Sequence, residues 1–245
     1  MLLGWLAATL LAAPVVHGEQ DGEQDLPVIR VRLEPFPPLI TEQGGGLAVD
    51  ILRHAERQLP YRFDIQIMSY SRARFLLERG QADLMGVTPA GAESAAFYQY
   101  AEELDWRAEM NVDLFALDPA LLAESRWPTL LLGAPLGNGA FLAELTGLPR
   151  QNFIETALPN LVRMLRAGRI DAILFERAST MTTIQAQQLT GVHYQRVLSQ
   201  AASLAVARTP AGRELKARLD PVFASDFARQ QMQQYQAYNA MPESG

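Results

Sequence analysis

Leu77-Glu78-Arg79-Gly80-Gln81-Ala82-Asp83-Leu84 and Leu165-Arg166-Ala167-Gly168-Arg169-Ile170-Asp171-Ala172 share one pattern: leucine, two residues, glycine, two residues, aspartate, then an apolar run. The physical sense of each copy is the same. An amphipathic helix ends on a glycine, which can take the left-handed conformation that closes a helix, and a buried strand begins after the aspartate. Upstream of the first copy the chain alternates like a strand at 28–33. It then passes through the extended Pro35-Phe36-Pro37-Pro38 and the turn Gly44-Gly45-Gly46, runs as an amphipathic helix over 47–58, and alternates again over 62–68. Ser69 and Ser71 are candidate caps for a helix over 72–79, and 82–87 reads as a short buried strand.

The same order returns around the second copy. Residues 130–136 are strand-like, Gly137-Asn138-Gly139 turns into a helix with Asn138 as its cap, and 153–157 is a strand. A helix over 158–167 carries Pro159 in its first turn and stops at Gly168; residues 170–175 form another strand. Strand–helix–strand–helix–strand order implies parallel pairing with crossover helices. Residues 111–117 and 203–208 alternate as two crossings between the halves, and 210–238 reads as C-terminal helix broken near Pro221. The expected fold is therefore α/β and two-lobed, each lobe a mostly parallel sheet flanked by helices, with two hinge crossings. Lobe 1 spans 28–112 and 208–245, and lobe 2 spans 113–207.

Composition narrows the function. A net charge of −6 disfavours nucleic acid and anionic membrane surfaces, which require clustered cations. The chain has no cysteine, which excludes disulfides, thiolate metal sites and cysteine nucleophiles. Residues 2–16 are nearly all apolar and are followed by small residues and an acidic stretch. This predicts a signal peptide over 1–18, a linker over 19–27 and a periplasmic location. The three histidines, His17, His54 and His193, lack metal-ligand spacing, and no phosphate-binding loop, dinucleotide fingerprint or Gly-x-Ser-x-Gly elbow occurs. No cofactor, metal or catalytic residue is expected, and Asp50, Asp83 and Asp171 are read as local braces.

In Glu34-Pro35-Phe36-Pro37-Pro38, Gly46-Leu47-Ala48-Val49-Asp50-Ile51-Leu52, Tyr70-Ser71-Arg72, Gly80-Gln81-Ala82-Asp83-Leu84, Gly86-Val87-Thr88-Pro89, Gly137-Asn138-Gly139 and Gly168-Arg169-Ile170-Asp171-Ala172, the chain resembles the periplasmic solute-binding proteins of ABC importers, of the polar-amino-acid type. The resemblance covers nearly the whole chain after the leader. It implies a monomer that captures a small polar ligand between its lobes for a membrane permease or a membrane sensor. Phe36 and Tyr70 would wall the ligand, and the 86–88 backbone (Gly86, Val87) with the Thr88 hydroxyl would bond a polar head. Asn138 and Gly139 would offer helix N-terminal N–H groups to an anion, Glu176 would meet an ammonium, and Glu34, beside the aromatic loop, is a further candidate ligand contact. The arginine that clamps a carboxylate in such proteins is here Gly91, and Arg72 is the candidate substitute. Two alternatives stay open: a sensory or accessory homologue without a transport role, and an enzyme resembling cyclohexadienyl dehydratases with Glu176 as general acid.

Overall fold

The computed structural model describes residues 26–240. The leader expected at 1–18 lies outside them, as does most of the expected linker. The first half comprises β1 (Val28–Leu33), α1 (Leu47–Glu56), β2 (Arg62–Ile67), α2 (Tyr70–Glu78), β3 (Leu84–Pro89), the short α3 (Phe97–Tyr100) and β4 (Ala101–Glu103). The long β5 (Ala108–Ala116) leads into β6 (Leu132–Pro135), α4 (Gly139–Thr146), β7 (Phe153–Thr156), α5 (Leu158–Arg166), β8 (Ala172–Glu176) and α6 (Arg177–Ala186). The still longer β9 (His193–Ala207) returns, and α7 (Pro210–Phe223) and α8 (Asp226–Asn239) follow.

Among the described residues nine strands form one sheet of order β2-β1-β3-β9-β5-β8-β6-β7, with β4 on β9. Read outward from the centre, β9-β3-β1-β2 and β5-β8-β6-β7 repeat one topology. In each half the outer strands are parallel, and the innermost meets its crossing strand antiparallel. The crossings are thus not separate tethers. β5 and β9 pair with each other from Ala108↔Ala202 to Ala116↔His193, with one register shift at Val112/Asp113. From Ala202 onward β9 pairs with β3, so the chain is back against the first half ahead of the expected boundary at 207/208.

Apolar spacing decides which faces are covered. In α1, Ala48, Val49, Ile51, Leu52 and Ala55 are buried, and in α5 Leu158, Leu161, Val162 and Leu165, each an i, i+3, i+4 stripe laid on the sheet. β8 is buried along its whole length, as expected of a strand covered on both faces. The two helix–glycine–strand junctions superimpose in their bonding. Gly80 and Gly168 both have positive φ (67° and 61°). Gln81 and Arg169 donate back to Leu76 and Met164, while Asp83 and Asp171 donate to the carbonyls of Arg30 and Leu131. Each aspartate side chain also accepts from that same neighbour, Asp83 from the Arg30 N–H and Asp171 from the Leu131 N–H, both at 2.7 Å.

At the C-terminus the helix breaks near Pro221, at Ala224-Ser225. Pro221 lies inside α7, and the Ser225 hydroxyl caps α8 by accepting from Ala228 N–H. Among the described residues no helix is long and apolar enough to cross a membrane.

Candidate functional site

Strands point their carboxyl ends at the seam between the halves, the usual place for a ligand crevice in α/β sheets. There, Glu34 after β1 and Val87, Thr88 and Pro89 on β3 meet Glu176 at the end of β8 and Asn138 ahead of α4. With Phe36, Tyr70, Met110, Phe141, Phe175 and Gln200 among the other walls, they enclose a chamber of about 50 Å³. Phe36, Thr88, Asn138 and Glu176, read from four separate stretches of sequence, therefore share one cavity. Phe36 meets Phe175 edge-on across the seam, with ring centroids 5.3 Å apart.

Two wider depressions flank the chamber. One, of about 560 Å³, shares Glu34 with it and runs between Pro35, Ile67 and Met68 of the first half and Leu136, Leu158 and Thr183 of the second. The other, of about 340 Å³, shares Tyr70 and Phe141. The halves touch closely beside the second depression. A Cβ on Gly137, whose φ is 92°, would come within 2.9 Å of the Ser71 amide nitrogen.

Two carboxylates face the chamber, and both are almost wholly buried. Glu34 accepts one side-chain bond, from Asn138 Nδ2 across the seam at 3.1 Å. Burial pushes its carboxyl up to about 8, the Asn138 bond pulling the other way. Glu176 accepts from Ala178 N–H and Ser179 N–H, both at 2.7 Å, and from the Tyr235 hydroxyl of α8 at 2.7 Å. Burial raises it less far, to about 7, because the Ser179, Tyr235 and Ala178 donors favour the anion. Glu176 is thus the N-cap of α6.

The structure gives the other expected site residues the following partners. Asn138 occupies the N-cap position of α4 but makes no side-chain cap bond, because its amide is turned to Glu34. The Gly139 N–H, expected to face an anionic ligand, donates to the Glu155 carboxylate, which pairs with Arg150 at 3.3 Å. The register Ala134↔Glu155 between β6 and β7 brings Glu155 there. Thr88 does line the chamber, but its hydroxyl donates to the Ser203 carbonyl of β9 at 3.2 Å. Arg72 is exposed on α2 and lines neither the chamber nor its flanking depressions. Gly86 is a contact of backbone with sheet: its carbonyl accepts from Glu34 N–H, and a Cβ there would lie 2.2 Å from the Leu204 side chain.

Near Gly91, where the clamp arginine would stand, the chemistry is acidic. Gly91 N–H donates to the Glu103 carboxylate. Glu93 accepts from the Tyr70 hydroxyl and pairs at 3.2 Å with Arg74, which lines the outer depression and not the chamber. Sequence reading missed Met110, Phe141 and Gln200 as wall residues. Phe141 had a signal, standing three residues after Asn138 on the same face of α4; Met110 and Gln200 depend on the pairing of β5 with β9.

The mirrored half-sheets joined by two long antiparallel strands settle the architecture. The fold is that of the periplasmic binding proteins. No protein-family model matches the sequence, and no curated protein does. Among solved structures, a histidine kinase sensor domain with similarity to periplasmic binding proteins matches with a TM-score of 0.71 at 19% identity, over 89% of this chain and 98% of that one. The substrate binding protein of an amino acid ABC transporter matches with a TM-score of 0.70 at 14% identity, over 87% and 100%. An ABC uptake transporter substrate binding protein from Streptococcus pneumoniae with bound histidine gives 0.70 at 14%, over 89% and 94%. At these identities the likeness is one of fold. Within the periplasmic-binding-protein fold the chamber lies at the seam between the two halves. Among the described residues no cluster of three or more His, Cys, Asp or Glu is placed to hold a metal ion.

Proposed function

We propose that this protein is an exported solute-binding protein that captures a small molecule between its halves and presents the closed form to the permease of an ABC importer, without altering the ligand. The observation that carries the reading is the chamber itself. Its walls come from the strand ends of both halves, and the halves are joined by β5 and β9. A ligand that touches both walls stabilises closure over opening. At about 50 Å³ the chamber is well below the ~300–1,000 Å³ of ordinary ligand pockets, so a whole ligand of ordinary size fits there only when the halves part. Export is supported by the apolar 2–16 stretch and the polar residues after it.

The test is small-angle scattering with Trp106 and Trp127 fluorescence during ligand screening. A binding ligand is expected to reduce the radius of gyration and change the emission, and Gly137→Ala, which wedges the halves apart at Ser71, is expected to enlarge the radius. Binding without any change in either observable would refute capture by closure.

A second reading, a sensor that passes closure to a membrane partner, is favoured by the match to a histidine kinase sensor domain. Ligand-dependent uptake into vesicles containing a candidate permease separates the two, since a sensor supports none.

A further inference from the structure

We infer that the chamber receives the cationic head of an organic amine that bears no carboxylate next to it, a diamine or alkylammonium whose tail lies in the groove beside Glu34. This deepens the capture reading above and rests on it.

Among the described residues no Lys, Arg or His lines the chamber; its acidic side chains are Glu34 and Glu176. An anion needs donors, and those nearest are already engaged. The first N–H of α4 is bound by Glu155, and the first N–H groups of α6 are bound by Glu176. An α-amino acid would therefore have to set its carboxylate beside two buried acidic groups, Glu34 still holding its proton below about pH 8, with no cationic wall residue among those described to offset it, which low-polarity surroundings make costly.

A cation meets the reverse situation. Glu176 has three donors, but Glu34 has only the Asn138 amide and so retains accepting capacity. Phe36, Tyr70, Phe141 and Phe175 line the chamber, and aromatic rings attract ammonium groups through their negative quadrupoles. Size agrees. The chamber holds a few water-sized atoms, enough for an ammonium and its first carbons. The rest of the molecule has the 560 Å³ groove, which has Glu34 on its wall and Ile67, Met68, Leu136 and Leu158 along it; Glu42 stands ready there for a second amine.

Ionisation follows from the same burial. The titratable groups facing the chamber are Glu34, Glu176 and Tyr70, with Tyr235 behind Glu176 and Glu42 in the groove. Because burial holds the Glu34 carboxyl near 8, a cation arriving below that pH displaces its proton.

The experiment is isothermal titration of the full chain with 1,4-diaminobutane, hexylamine, L-arginine and L-glutamate at pH 6 and pH 8, in buffers of different ionisation enthalpy, with scattering on each mixture. The amines are expected to bind with compaction. Their affinity should fall by up to about tenfold per pH unit below pH 8, with proton release seen as buffer-dependent heat. Glu34→Gln, checked for folding by thermal melting, should weaken amine binding by about 10- to 100-fold. Compaction with L-glutamate or L-arginine but not with the amines overturns this inference and leaves capture standing. Amine binding without proton release, or unchanged in a folded Glu34→Gln, removes Glu34 from the role. No binding by any of the four, with no compaction, defeats the inference.

Discussion

The half built on β1, β2 and β3 and the half built on β6, β7 and β8 repeat one topology, yet they equip their buried carboxylates very differently. Glu34 leaves the end of β1 with a single polar partner from across the seam, whereas Glu176 ends β8 bound by two backbone N–H groups and a tyrosine hydroxyl. Burial is similar and donor supply is not. The second-half carboxylate is an element of structure, locked as a helix cap; the first-half carboxylate is an acid kept in reserve. The difference also runs deeper into the second half. Arg177, next to Glu176, is buried with its guanidinium on Asp113 at 2.5 and 3.0 Å and 5.1 Å from the Tyr194 ring.

The sharpest way to break this contrast is to remove the deepest anchor. Asp113→Ala removes the carboxylate to which the Arg177 Nε and Nη2 donate, which should cost about 3–5 kcal/mol in urea unfolding. A loss under about 1 kcal/mol would mean the second half is no more rigidly anchored than the first.

Next in size is the pair of carboxylates themselves. Glu176→Ala strips the α6 cap and strands buried donors, for about 2–3 kcal/mol. Glu34→Gln keeps an acceptor for Asn138 and removes the cost of holding a proton on a buried carboxyl, so near neutral pH it should be neutral or stabilising. Equal losses would erase the distinction between a structural and an available carboxylate.

The pH dependence sharpens it further. The Glu34 carboxyl is held at about 8 in the folded chain, against an ordinary carboxyl value of about 4.3 once unfolded. Between these values the folded state keeps a proton that the unfolded state has released, so stability is full below the lower value and is lost as pH rises toward 8. The slope from this group is about 1.4 kcal/mol per pH unit. Urea midpoints from pH 5 to pH 8 should therefore fall less steeply in Glu34→Gln than in the parent. Glu176, with its better donor supply, stops contributing nearer pH 7. Parallel curves for parent and variant would show that Glu34 is ionised in the folded chain.

What could be read from the sequence follows the same division between local and distant causes. The strand and helix order, the glycine stops at Gly80 and Gly168 and the four residues Phe36, Thr88, Asn138 and Glu176 are local signals placed at repeating points. The structure brings those four into one chamber. β9 is legible in the sequence only at its apolar end, 203–208. Its other residues, from His193 onward, are mixed in burial and become a strand through pairing with β5. α6 went unread because its Ser and Thr residues are weak helix formers, and its cap is a glutamate bound from outside by Tyr235. The filling of the α4 N-terminus by Glu155 likewise depends on β6–β7 register, which no local pattern specifies. That register puts the Gly139 N–H on Glu155, whereas the Asn138 amide is taken by Glu34 across the seam.

The smallest effect tests the repeat at its most legible point. Asp83 and Asp171 brace equivalent junctions through one backbone bond each, but Asp83 also holds the Arg30 side chain, at 2.9 and 2.7 Å. Asp171→Ala should cost about 0.5–1.5 kcal/mol, the worth of one partly exposed hydrogen bond. Asp83→Ala should cost that plus about 0.2–1 kcal/mol for an ion pair that is itself part-exposed. Salt discriminates between the two contributions. In about 1 M salt, where screening acts within roughly 3 Å, the excess should shrink and the two variants converge. Convergence would mean the junctions share one backbone brace and differ only by a surface charge, whereas a difference that persists in salt would show that the repeat is less equal than its bonding suggests.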